Sequence, residues 1–252
     1  MIPHHVVTGP VDAPWLVLAN SLGSTYAMWD SQAPKLAERF RLVRFDARGH
    51  GGSDVPPAPY ALEDLGRDAL ELLDHLGIET THWAGLSIGG MTGMWLAIHA
   101  PERIDRLVGL CTSAKLGPPE LWEERIKLVR AQGTAAMVPG SLERWITPGC
   151  REAHPETVEL ITAMVASIAA EGYAGVAAAI QGMDLLADLH RISAPTLIIA
   201  GAQDPATPPE HGRLIAEGAP NARLEILDPG AHMITLERPE AVTTLILEHL
   251  ES

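Results

Sequence analysis

A serine in a glycine-flanked turn is the residue of this chain best placed to do chemistry. Residues 85–89 read Gly-Leu-Ser-Ile-Gly and fit the pattern G-x-S-x-G, in which the serine lies on a sharp turn between a strand and a helix. Residues 81–86 have the composition of a short buried strand, and the apolar run 91–100 predicts a helix. Small residues beside the serine let strand and helix approach without a Cβ clash. The pattern predicts that Ser87 is a nucleophile.

A serine nucleophile needs a base and an acid, and the chain offers both in a suitable order. Histidine is the usual base because its pKa lies near neutral pH, and an acid must fix its tautomer. For this type of turn the expected order along the chain is serine, acid, histidine. Asp204 and His232 each follow directly on a predicted strand, as Ser87 does. Because parallel strands end at one edge of the sheet, we predict that these three residues form a catalytic triad.

Two further residues compete for parts of this assignment. Asp46 also follows a predicted strand, but it precedes Ser87 in the chain, so we assign it a structural role in bonding loop backbone. His50 lies in a glycine-rich turn near the site and is also expected to be structural. Taken alone, Asp204 before a proline could merely start a turn, and His232 could be a solvated loop residue. Their order and their common edge favour the triad.

Acyl transfer to serine also requires two backbone N–H groups directed at the developing negative charge. Ile88, immediately after Ser87, is expected to supply one of them. The other should come from the loop after the predicted strand 15–19. A His-Gly pair usually opens that loop; here Asn and Ser take those two positions, which leaves Leu22 as the donor. The alternative interpretation of this loop is a plain turn.

Strand and helix patterns alternate through most of the chain. Such alternation at short intervals predicts right-handed crossovers and a mostly parallel sheet covered by helices on both faces, which is an α/β fold. The expected strands are residues 4–8, 15–19, 41–45, 81–86, 104–111, 195–200 and 223–227. The expected helices are residues 28–40, 62–76, 91–100, 208–216 and 239–250.

The alternation stops between residues 115 and 188, where helical periodicity continues without a convincing strand. We therefore expect two units. Residues 1–114 and 189–252 form the α/β core, and residues 115–188 form a helical cap over the carboxyl ends of the strands.

Charge and composition exclude several classes of protein. The 252 residues carry a formal net charge of −14, which disfavours partners such as nucleic acids and anionic membranes. The N-terminus lacks the basic and apolar regions of a secretory signal, and no run of about 18 apolar residues suggests a membrane span. The 2 cysteines are expected to be free thiols. These features favour a cytoplasmic protein that acts on a small molecule; they do not indicate its oligomeric state.

Over its whole length the chain resembles the α/β-hydrolase superfamily, and within it the 3-oxoadipate enol-lactonases. Motifs in both the core and the insertion carry the resemblance, and they occupy residues 21–23, 28–30, 45–51, 85–90, 122–126, 144–148, 172–173 and 207–212. The chain begins near the position of the family's second strand. It also departs from the family's pattern just after His232, where it reads Met-Ile-Thr-Leu-Glu along the expected pocket wall.

The resemblance implies a serine hydrolase that opens an enol-lactone ring without a metal or organic cofactor. Because such a lactone carries a carboxylate, Arg125 and Arg144 in the expected cap become candidate ligands, with Trp122 and Trp145 as apolar walls. The arginines could instead lie on a solvated surface, and the tryptophans could simply pack the cap. Two other functions stay open: a carboxylesterase or lactonase for other small substrates, and a small-molecule receptor on a hydrolase scaffold.

Overall fold

A computed structural model describes all 252 residues, and its centre is one seven-stranded sheet. The strands are β1 (His5–Thr8), β2 (Trp15–Ala19), β3 (Arg41–Phe45), β4 (Thr81–Leu86), β5 (Ile104–Leu110), β6 (Thr196–Gly201) and β7 (Ala222–Leu227). Across the sheet their order is β1-β3-β2-β4-β5-β6-β7. Only the edge pair of β1 and β3 is antiparallel. The predicted α/β fold with a mostly parallel sheet is confirmed.

Helices connect these strands and fill the long interval between β5 and β6. In the core they are α1 (Ala33–Leu36), α2 (Leu62–His75), α3 (Ile88–His99), α9 (Pro209–Gly218), α10 (Ile234–Glu237) and α11 (Pro239–Leu250). Between β5 and β6 they are α4 (Pro119–Gln132), α5 (Val138–Trp145), α6 (Pro148–Ala153), α7 (Pro155–Ser167) and α8 (Ala170–Gly182). Every residue of β4 and of β6 is buried, as expected for strands that helices cover on both faces.

The helix predicted over residues 28–40 is not continuous. Instead of a single helix over residues 28–40, the chain forms a short 3₁₀ helix, Tyr26–Trp29, and the one-turn helix α1. Pro34 explains the break, because proline has no N–H to donate and is tolerated only in the first turn of a helix. The apolar stripe still serves the core, since Trp29, Leu36 and Phe40 are all buried.

The helices of residues 115–188 rest on the core through a close approach of two backbones. Gly172 in α8 lies so near Gly49, in the loop after β3, that a Cβ on either glycine would overlap with the other residue. A larger residue at either position would therefore force the helices and the core apart. Within the segment, α4 packs along α8.

No single helix of this protein is long and apolar enough to cross a membrane. Helices α7 and α8 together would be long and apolar enough, but the chain bends by 96° between them.

Candidate active site

Ser87 occupies a strained turn between β4 and α3. Its backbone angles are φ 56° and ψ −116°, values that side-chain-bearing residues rarely adopt and that persist only where the surroundings enforce them. Here two hydrogen bonds to β5 and the residues after it hold these angles. Ser87 N–H donates to Leu110 O at 2.8 Å, and Thr112 Oγ1 donates to Ser87 O at 2.8 Å. The turn is thus held rigidly at the carboxyl end of the sheet.

The glycines on either side of Ser87 are required by close packing. A Cβ on Gly85 would overlap with the backbone of Gly89, the second residue of α3. A Cβ on Gly89 would lie 2.5 Å from Ala19 O, at the end of β2. The start of α3 therefore presses against the loop that follows β2, which brings that loop beside the serine.

Asp204 and His232 form a buried hydrogen-bonded pair at the same edge of the sheet. Asp204 follows β6 and His232 follows β7, and His232 Nδ1–H donates to Asp204 Oδ2 at 2.8 Å. The other carboxylate oxygen, Oδ1, accepts the backbone N–H groups of Ala206 and Thr207 at 2.8 and 3.1 Å. Thr207 Oγ1 also donates to Asp204 Oδ2, at 2.7 Å. These bonds fix the carboxylate and orient the imidazole ring.

The environment keeps Asp204 ionised. Burial raises the pKa of this carboxyl, but the charge of His232 and the hydrogen bonds from His232 and Thr207 outweigh burial and lower the pKa to about 2. At neutral pH Asp204 is therefore an acceptor for His232 Nδ1–H, which leaves Nε2 as the ring nitrogen able to take a proton.

Ser87 and His232 line one cavity of about 170 Å³ together with all four predicted substrate-binding residues. From the core the cavity is lined by Ser21, Leu22, Ser87, Pro205, Ala206 and His232, and from residues 115–188 by Leu116, Gly117, Leu121, Trp122, Arg125, Ser141, Arg144, Trp145, Tyr173 and Ile180. Ser87 Oγ makes no hydrogen bond to His232 here. In free enzymes that contact is often long and tightens when substrate binds.

Of the two predicted N–H donors, Leu22 lines this cavity and Ile88 directly follows Ser87. Leu22 lines it directly, and no backbone hydrogen bond uses the Leu22 N–H. Ile88 is the first residue of α3, and the first N–H groups of a helix have no partner within the helix. Both groups are thus free to bind an oxyanion, and the positive end of the α3 dipole adds to the attraction.

Asp46 has the structural role predicted for it. Its Oδ1 accepts the backbone N–H of Tyr26 at 2.9 Å, and its Oδ2 accepts that of Gly52 at 3.0 Å. A third contact joins Oδ2 to His4 Nδ1 at 3.0 Å. This carboxylate organises loops, and His232 is bonded to Asp204 instead.

Arg125 and Arg144 bring two positive charges to the cavity without a carboxylate partner. Neither forms an ion pair, whereas Arg130, further along α4, pairs with Glu171 at 2.9 Å. The guanidinium of Arg125 lies 4.7 Å from the centre of the Trp122 ring, over its face. Burial lowers the pKa of Arg144, and the nearby charge of Arg125 lowers it further. Two neighbouring cations without a carboxylate partner are suited to bind an anion.

Two residues near the site were not predicted from the sequence. Tyr173 is buried beside both arginines; burial raises the pKa of its phenol, and the two arginines act in the opposite direction. No residue pattern marked Tyr173 as a site residue. Thr207 bonds Asp204, and the signal was available, because a hydroxyl three residues after an aspartate commonly bonds it.

Cys111 lies within reach of the acid–base pair, but its chemistry does not suit a metal site. Ligand atoms of Cys111, Asp204 and His232 lie within 4.8 Å of one another. Burial, and then the charge of Asp204, raise the pKa of the Cys111 thiol well above its usual range. A metal ligand must be a thiolate, and Asp204 and His232 already bond each other. The cluster is an acid–base pair with a neighbouring thiol.

Comparison with known proteins agrees with this geometry. Residues 14–239 match the model of a family described as the alpha/beta hydrolase fold. The chain is 40% identical to 3-oxoadipate enol-lactonase 2 of Acinetobacter baylyi, over 94% of this chain and 89% of that protein. It is 31% identical to the putative carbamate hydrolase RutD of Stutzerimonas stutzeri, over 95% and 92%. The crystal structure of the enol-lactonase from Burkholderia xenovorans LB400 matches with a TM-score of 0.97 at 37% identity, over 99% and 96%.

Proposed function

Because this chain belongs to the α/β-hydrolase family, we propose that it opens the lactone ring of 3-oxoadipate enol-lactone by a serine mechanism. Its relatives support a hydrolase of the enol-lactonase type, as the resemblance predicted. The observation that carries the choice of substrate is the pair of unpartnered cations, Arg125 and Arg144, in the cavity that Ser87 lines. The product is 3-oxoadipate.

The first chemical step is attack on the lactone carbonyl. His232 Nε2 takes the proton of Ser87 as Oγ bonds to the carbonyl carbon, and the carbonyl oxygen becomes an oxyanion. The N–H groups of Leu22 and Ile88 stabilise that charge. Asp204 holds the ring of His232 in the required tautomer and stabilises the imidazolium that forms.

The second step opens the ring and regenerates the enzyme. The C–O bond of the ring breaks, and the ring oxygen takes the proton from His232 to become an enol hydroxyl. This hydroxyl is on the same molecule whose acyl carbon stays bonded to Ser87. A water molecule then attacks the acyl carbon, and His232 accepts its proton and returns it to Ser87 Oγ. The freed enol becomes the ketone of the 3-oxo acid. Every proton moved by His232 is returned, so the cycle closes.

We expect the carboxylate of the substrate to bind beside Arg125 and Arg144. We assign residues 115–188 as a cap that reads this carboxylate, and residues 1–114 and 189–252 as the catalytic core. The net charge of −14 repels an anionic substrate at long range. The favourable free energy of binding must therefore come from contacts inside the cavity. A charge-assisted hydrogen bond contributes about 1.5–3 kcal/mol, which is about one to two orders of magnitude in affinity.

The experiment compares two substrates in matched variants. Arg125→Met and Arg144→Met each remove one cation while keeping an apolar stem of similar length. We expect KM for the enol-lactone to rise by about tenfold to a hundredfold, with hydrolysis of neutral p-nitrophenyl acetate nearly unchanged. Arg130→Met is the control, because Arg130 lies on the same helix as Arg125 and pairs with Glu171.

A second candidate function is carbamate hydrolysis, which the 31% identity to a putative carbamate hydrolase favours. The same nucleophile and base serve a carbamate, so the pocket decides. If carbamate turns over faster than the lactone, or if both arginine variants lose lactone and aryl ester activity in parallel, the lactonase assignment is wrong.

A further inference from the structure

The loop that carries Leu22 is attached to the end of β3 and to the segment after it. Asn20 Nδ2 donates to Phe45 O at 2.7 Å, before Leu22 in the chain. After Leu22, the backbone N–H of Gly23 donates to His50 Nε2 at 3.0 Å. Of these contacts the bond to His50 lies nearest to Leu22, because it uses the very next residue. The loop's shape beside the nucleophile therefore depends on a neighbouring segment as well as on its own sequence.

His50 is held as a hydrogen-bond acceptor. The ring is buried, with 2% of its surface exposed, and its Nδ1–H donates to Arg48 O at 3.2 Å. With Nδ1 protonated, Nε2 of the neutral ring has a lone pair for the N–H of Gly23. Burial lowers the pKa of His50 to about 4, against the raising effects of Arg48 O and Asp46. At neutral pH the ring keeps this single role, because protonation would remove the acceptor.

The geometry around Gly23 leaves Leu22 little freedom. Ser24 closes a tight turn, since both its N–H and its hydroxyl bond Ser21 O, at 3.2 and 2.8 Å. Gly23 has φ 80°, and a Cβ there would lie 3.3 Å from the ring of Tyr173. Leu22 thus sits inside a turn whose next N–H is fixed by His50, while its own N–H is free.

We propose that His50 is a positioning residue for the oxyanion site: through the N–H of Gly23 it holds the N–H of Leu22 towards the cavity that Ser87 lines. This inference rests on the proposed serine mechanism. His50 itself does not line the cavity and touches no substrate. Its effect is therefore expected in the transition state, where the oxyanion forms, and it should appear in kcat while KM changes little.

The test replaces His50 by two amide side chains, one of which mimics the Nε2 acceptor of the ring and the other the Nδ1–H donor. In His50→Gln the amide oxygen reaches the position of Nε2 and can still accept from Gly23 N–H. In His50→Asn the shorter amide keeps a donor for Arg48 O but has no acceptor for Gly23. With p-nitrophenyl acetate, we expect His50→Asn to lose about tenfold or more in kcat at unchanged KM, and His50→Gln to recover most of that loss.

The controls separate this inference from the proposed function and from damage to the fold. Thermal unfolding shows whether each variant folds; if His50→Asn does not, His50→Phe, which fills the space without an acceptor, takes its place under the same criteria. Equal kcat in the acceptor-keeping and acceptor-lacking variants overturns the role of His50. Hydrolysis by Ser87→Ala at near the parental rate would instead overturn the serine mechanism, whatever the His50 variants do.

Discussion

The two sides of the cavity differ in how their charges are satisfied. On the catalytic side, formed by Ser87, Asp204 and His232, the carboxylate accepts hydrogen bonds from groups of the core itself. On the binding side, formed by Arg125 and Arg144, neither cation has a carboxylate partner. The charge of Asp204 is thus satisfied within the core, whereas the charges of the two arginines are not balanced by any carboxylate of the protein. From this difference we expect the rate of acyl transfer and the choice of substrate to depend on separate residues.

The largest effect is expected from Ser87→Ala, which removes the nucleophile from the catalytic side only. Hydrolysis of the lactone and of a neutral ester should both fall by about 10⁴-fold or more, because no other group can form the acyl-enzyme. Binding of a carboxylate inhibitor should persist, since the arginines are unchanged. Steady-state rates and inhibitor titration measure the two properties separately.

Ser113→Ala is the matched control for this variant. Ser113 is a buried serine just after β5, and its Oγ lies 2.7 Å from His211 Nδ1, so it forms a serine–histidine side-chain hydrogen bond away from the cavity. We expect activity within a few-fold of the parent, because neither residue lines the cavity. If Ser113→Ala is the inactive variant instead, the nucleophile and the comparison of the two sides are both misassigned.

The next effect separates the two aspartates that follow strands. Asp204→Asn should lower kcat by about 10³–10⁴-fold at similar KM, because an amide stabilises the wrong tautomer of His232 and cannot stabilise imidazolium. Asp46→Asn should lower the melting temperature and change kcat by less than about tenfold, since Asp46 bonds only loop groups. A larger loss of kcat in folded Asp46→Asn would make Asp46 the catalytic acid.

The smallest effect concerns stability at low pH. Because the pKa of Asp204 is lowered to about 2 in the folded protein, its ionised form stabilises the fold fully above the unfolded pKa near 4. That contribution is lost as the pH falls from about 4 towards 2. Urea unfolding at pH 5, 4 and 3 should therefore show that the free energy of unfolding falls more steeply with decreasing pH in the parent than in Asp204→Asn. Parallel curves would mean that the carboxylate is not stabilised by its surroundings.

The central strands of the sheet were predictable because they are buried on both faces. Continuous runs such as residues 15–19 and 196–201 can satisfy burial only inside a covered sheet, and their ends follow from the turns beside them. The helix expected over residues 28–40 failed because periodicity describes which side of a segment is buried, and says nothing of a proline that breaks the backbone.

The residues around the cavity were predictable to different degrees. Ser87, Asp204 and His232 sit at strand ends, so topology alone brings them to one edge; their catalytic roles stay predictions that the variants test. Tyr173 could not be found this way, because its position depends on how α8 packs on the core. Nor could the sequence show that Arg144 is unpaired, since an absent partner is a property of the packed chain.

The contacts that attach residues 115–188 to the core affect how substrate enters the cavity and how product leaves it. The segment is tied down where Gly172 meets Gly49, and again where Met233 N–H donates to Trp145 O at 2.7 Å. Leu121, which lines the cavity near the start of α4, is 50% exposed. Because the segment is attached to the core at these and other points, we expect it to move little as a unit, and we expect molecules to enter and leave the cavity beside Leu121. A smaller side chain at Leu121 should then speed the release of bulky products, because release through an opening limits turnover in many enzymes.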